Sequence, residues 1–118
     1  MIEEPASVAL EAYLPRDAVL ATSRIALVEV PRATALANPS EEVRKETARL
    51  LQACLPVAVS DRVLRDAAAI TSREVGTLDA IHLSTALYVE ADELIAYDRR
   101  LLTASEARGV TAVAPGRG

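Results

Sequence analysis

The chain is poor in the residues that staple, hinge or stack. Its 118 residues include one cysteine, four glycines, three tyrosines, and no tryptophan or phenylalanine. A lone thiol, Cys54, rules out an internal disulfide, and its place at the end of an amphipathic run suits a small buried hydrophobe better than a reactive group. Four glycines leave no glycine-rich loop for cradling a nucleotide, and no local pattern supports Ser–His–Asp or Cys–His–Asp catalysis. Long apolar runs are missing too. The longest, Ala53 to Val59, has seven residues and contains Pro56, far short of a bilayer span. The opening "MIEEPAS" is acidic and has no signal-type apolar region. A cytoplasmic protein without a membrane segment is therefore expected. An excess of positive charge is also lacking. The net charge of −4 and pI near 5.0 argue against a general electrostatic grip on nucleic acid. They leave open a site where bound cations reverse the local sign.

What is present suits an ordinary globular protein. The chain is 51% hydrophobic and 25% charged, so Leu, Val, Ile and Ala must fill the core of one compact domain over residues 1–118. Twelve of the thirteen basic residues are arginine, the side chain that forks best onto phosphate and carboxylate.

Short strand-like runs alternate with longer helical ones. "EEPASVALEAYL" predicts a short helix after Pro5, "DAVLAT" (17–22) a strand, and "SRIALVEVPRATALAN" a helix that Pro31 must bend or interrupt. Ser40 is a good N-cap for the next helix, with Glu41 and Glu42 at its positive end. Val43, Thr47, Leu50, Leu51 and Cys54 fall on one face of it. "LPVAV" (55–59) reads as a buried strand. Ser60 or Asp61 caps a helix with Val63, Leu64, Ala67, Ala68 and Ile70 inward, and Gly76 ends it. Thr77 caps the helix that holds Asp79. "ELIAY" (93–97) is a strand, "LLTASEARG" a helix ended by Gly109, and "VTAVAP" a last strand. This alternation implies a layered α/β domain with a largely parallel sheet.

Two acids stand at the edges of the most apolar segments. Asp98 directly follows the strand "LIAY", and in open parallel sheets ligands bind beyond the C-terminal strand ends. Asp79, 19 residues earlier, opens a helix that can face the same rim. Glu29, among Leu27, Val28 and Val30, completes a candidate trio. Three converging carboxylates repel one another, and a hard cation such as Mg²⁺ removes that conflict by accepting oxygen ligands beside a phosphate. The implied chemistry is phosphodiester hydrolysis. Each acid also has an ordinary reading. Asp79 can be a dipole-stabilised first-turn acid, Asp98 a turn residue, and Glu29 a solvated position beside Arg24 or Arg32.

In order, "TSRIALVEVPRA", "GTLDAIHLSTAL", "LIAYDRRLLTASEARGV" and "VAPG" resemble the PIN-domain ribonucleases, and within them the VapC-type toxins of bacterial toxin–antitoxin pairs. The resemblance runs from about residue 4 to residue 116, and "LDAIHL" with "YDRRL" at this spacing is its most specific part. It implies a three-layer α/β/α sandwich with a mainly parallel sheet. It also implies cleavage of RNA with Mg²⁺ or Mn²⁺, a small VapB-like antitoxin as partner, and a homodimer. By position Glu29, Asp79 and Asp98 match the family's metal-binding and water-activating acids. One departure is expected to matter. The family's opening strand, which ends in the first catalytic aspartate and lies centrally in the sheet, would fall before Met1, so that the N-terminal strand is missing or replaced. Its loss would expose backbone donors and acceptors on both neighbouring strands, a large cost for a domain with about 5–15 kcal/mol in hand. A start upstream, a strand borrowed from a partner, or an inactive remnant would each account for it. Two functions follow: a metal-dependent endoribonuclease toxin, or a catalytically silent module that still binds an antitoxin.

Five further positions have paired readings. His82 shares a helix face with Asp79 and is either a second ligand or a hydrogen-bonded packing residue. The family does not use that position as a standard ligand. Ser23 and Thr77 either meet water or phosphate at the rim or cap helices. Arg99 and Arg100 either steer phosphate or face solvent and partner.

Overall fold

A computed structural model describes residues 18–96 and 99–114. The helix expected over "EEPASVALEAYL" lies outside the described residues. Contacts divide the chain into two compact units, Met1–Ala58 and Val59–Gly118, and each is built from parallel strands and helices.

The first unit runs β1 (Leu20–Ser23), α1 (Ala26–Ala37), α2 (Glu41–Gln52) and β2 (Cys54–Val57). β1 and β2 pair in parallel from Leu20↔Cys54 to Ser23↔Val57, and the Arg24 N–H extends the ladder to the Val57 carbonyl at 3.0 Å. Pro31 lies inside α1, which continues through it from Ala26 to Ala37, so of the two effects expected from its missing N–H, bending or interruption, interruption does not occur. The carbonyl it leaves without a helical donor, four residues back, belongs to exposed Leu27, where water can reach it. Just beyond, the Thr34 hydroxyl donates to the carbonyls of Val30 and Pro31 at 2.9 and 3.1 Å, holding the turn around the proline.

In α2 the Ser40 hydroxyl accepts from the Val43 N–H at 3.2 Å, the expected N-cap. Val43, Thr47, Leu50, Leu51 and Cys54 are all half-buried, while every other residue from 41 to 53 is exposed. The helical period was therefore readable, although no residue of α2 is fully buried. The following strand starts one residue and ends two residues before the expected 55–59, and it is not buried, since Leu55 is 60% exposed. Its apolar run carries no periodicity from which burial could be judged.

The second unit runs α3 (Asp61–Ala68), α4 (Thr77–Tyr88), β3 (Glu93–Ile95), α5 (Arg99–Ala107) and β4 (Thr111–Val113), with β3 and β4 parallel. Ala67, Ile70, Ala80, Leu83, Leu101 and Val110 form its core, against which Leu94 and Ala96 pack. Ser60 caps α3 through the Val63 N–H at 3.2 Å. Val63, Ala67 and Ile70 face inward as expected, but Leu64 and Ala68 are exposed, so the buried stripe of this short helix is narrower than the sequence suggested. Gly76 was expected to end α3. Instead α3 stops at Ala68, and Gly76, in extended conformation, is the N-cap of α4, leaving Thr77 as the first helical residue. Among the described residues no helix is long and apolar enough to cross a membrane.

α3 and α4 are tied together by more than apolar contact. The buried Ser84 hydroxyl donates to the Val63 carbonyl at 2.7 Å, and the Arg62 guanidinium lies 5.6 Å from the Tyr88 ring centroid, within cation–π range. Ser84→Ala should lower stability by about 1 kcal/mol, the usual net worth of one such hydrogen bond. A urea unfolding midpoint that does not move would refute the role given to that bond.

Two helix ends use the same left-handed closure with different residues. At the end of α5 the Val110 N–H reaches the Ser105 carbonyl and the Gly109 N–H the Glu106 carbonyl, with Gly109 at φ +80. At the end of α4 the Ala91 N–H reaches Ala86 and the Glu90 N–H reaches Leu87, with Glu90 at φ 53. This is the Schellman arrangement, which favours glycine at the left-handed residue. A Cβ at Gly109 would meet nothing within 4 Å, so Gly109→Ala carries a purely conformational cost of about 1 kcal/mol. Glu90→Gly should gain a similar amount. Opposite shifts of the melting temperature are the expected result, and equal-signed shifts would contradict it.

Candidate active site

Asp79 lies in the first turn of α4, three residues after the Gly76 N-cap, and the Ala80 N–H closes that turn on the Gly76 carbonyl at 2.9 Å. The positive end of the helix favours a carboxylate there. What sets Asp79 apart from an ordinary first-turn acid is its stripe. Four and seven residues on, along the same helix face, stand Leu83 and Ala86, both buried. Asp79 continues the inward face of the helix and is itself half-buried. Ser84 and Leu83 anchor the pedestal on which it stands. His82, three residues on, is also half-buried.

A short turn, residues 89–92, connects α4 to β3. Ala80 and Ala96 meet the same apolar cluster, and the Ala96 N–H donates to the Val113 carbonyl at 3.1 Å. Asp98 follows Ala96 by two residues in the sequence but lies outside the described residues, so its predicted place at the strand end is not among the positions located.

Glu29 lies in the first turn of α1, half-buried between exposed Leu27 and Val28 and half-buried Val30. It follows the C-terminal end of β1, as the sequence implied. It belongs to the first unit and Asp79 to the second. Among the described residues no group of three or more His, Cys, Asp or Glu is gathered closely enough to hold a metal ion. Carboxylate oxygens suit a hard cation, but the described residues alone do not assemble a three-ligand set.

The secondary candidates divide clearly. The Ser23 side chain is buried and its hydroxyl accepts from the Ile25 N–H at 3.4 Å, a local turn role. Thr77 is exposed and, with Gly76 as the N-cap, does not cap α4. Glycine is commonest just past a helix end but also serves as an N-cap, which is why the sequence alone assigned it to the wrong helix. Arg99 and Arg100 open α5 and are exposed. Partial burial pushes the Cys54 thiol up, and its Sγ–H donates to the Leu50 carbonyl at 3.3 Å. Both features keep it a protonated packing group rather than a nucleophile. Ser84 was not singled out by sequence reasoning. The only signal was a pair of small hydroxyl residues within the otherwise apolar "AIHLSTALY".

Comparison with known proteins places these elements in context. The PIN domain family model matches residues 2–107. Ribonuclease VapC46 of Mycobacterium tuberculosis is 38% identical over 116 residues, covering 97% of this chain and 88% of the relative. No solved structure matches the chain.

Proposed function

Because the chain belongs to the PIN domain family, in its VapC-type branch, we propose that it is a metal-dependent endoribonuclease, the toxin of a toxin–antitoxin pair. The observation that carries this reading is the half-buried Asp79, set on the inward stripe of α4, whose first-turn Ala80 belongs to the apolar cluster that Ala96, just after β3, packs against. A surface acid serving only the helix dipole has no need of that stripe.

In this reading Asp79 and Asp98 hold Mg²⁺ or Mn²⁺, and Glu29 either binds the ion or orients the attacking water. When bound, the ion supplies charge neutralisation at the phosphodiester and lowers the pKa of a coordinated water. The protein's own part is to hold the carboxylates in place. The dipole at the start of α4 favours the charged form of Asp79, and the α3–α4 clamp limits its movement. Exposed Arg99 and Arg100, next to Asp98 in sequence, are placed to attract the RNA backbone towards an otherwise acidic protein. A VapB-like antitoxin as partner, a homodimer and a cytoplasmic location complete the proposal and rest on family membership.

Metal titration tests the ligand set without relying on turnover. Mn²⁺ followed by its electron paramagnetic resonance signal should bind the wild-type chain, and bind at least tenfold more weakly to Asp98→Asn. Equal binding by the two would remove Asp98 from the ligand set.

A further inference from the structure

We draw no further inference here: the strongest candidate, the apolar groove of about 350 Å³ between α3 and the start of α4 that Leu64, Ala68, Val75 and Ile81 line, carries nothing because nothing in the structure shows what covers it.

Discussion

Asp79→Asn should reduce metal-dependent RNA cleavage by on the order of a hundredfold while leaving the fold intact. The estimate follows from removing one charged group from a site whose catalysis is largely electrostatic. Asparagine keeps the size of the side chain and one oxygen, but loses the negative charge that would hold a hard cation. Stability should change by about 1 kcal/mol or less, the scale of a carboxylate's favourable interaction with a helix start. The combination is diagnostic. A catalytic acid gives a large activity loss with an unchanged melting temperature. A structural acid gives the reverse, and an acid uninvolved in metal binding would give a variant as active as the parent, with equal or higher stability. Parallel measurement of cleavage rate and thermal midpoint on one preparation separates the three.

Leu83→Ala should produce the largest stability change, about 2–5 kcal/mol. Leu83 is 0% exposed and belongs to the core cluster with Ala67, Ile70, Ala80, Leu101 and Val110. Its neighbours include two alanines, whose short side chains have little reach into a space left by leucine. The chain has no phenylalanine or tryptophan, so neither of those rings can swing into that space either. The loss is a large share of the roughly 5–15 kcal/mol that holds a domain together. Because Leu83 stands one turn below Asp79 on the same helix face, activity should fall with the folded fraction and recover with it on cooling. Denaturant unfolding followed by circular dichroism measures the first effect. A midpoint within experimental error of the wild type would show that the second unit does not depend on this packing.

The two variants divide the roles of α4. Asp79→Asn tests what the helix presents, and Leu83→Ala tests what holds the helix in place. Ser84 belongs with Leu83, because its hydrogen bond to the Val63 carbonyl positions the helix without touching a reacting group.

Local chemistry made much of this readable in the sequence. Val43, Thr47, Leu50 and Leu51 recur at the helical spacing, and α2 turned just those positions inward, with Cys54 half-buried at the start of β2. Ser40 and Ser60 announce helix starts because their hydroxyls replace missing backbone acceptors. Gly109 announces a stop because glycine accepts a left-handed backbone. Glu90 takes up the same conformation, and nothing in its side chain signals it. The closure there is imposed by the turn into β3. The exposure of Leu64 and Leu55 was not readable either, since apolar character states what can be buried and packing decides what is.

The site followed the same division. Asp79 was legible as an acid opening an apolar helix, and Glu29 as an acid in the helix after a strand, while the inward stripe that Asp79 continues became visible only in the structure. Local pattern carries no information on whether distant carboxylates converge. The charge argument that three acids need a cation depends on that convergence, which belongs to tertiary structure. The family match over residues 2–107 places the chain in the PIN family, and the convergence of its carboxylates is left to experiment.

The most direct test is cleavage of a mixed-sequence RNA by the purified 118-residue chain with Mg²⁺ or Mn²⁺, against EDTA, using Asp98→Asn as the control and circular dichroism to confirm folding. The metal-dependent ribonuclease reading predicts cutting that EDTA abolishes and the variant lacks. No cutting by a folded chain at saturating Mn²⁺ would contradict it, and would leave a silent antitoxin-binding module as the better account.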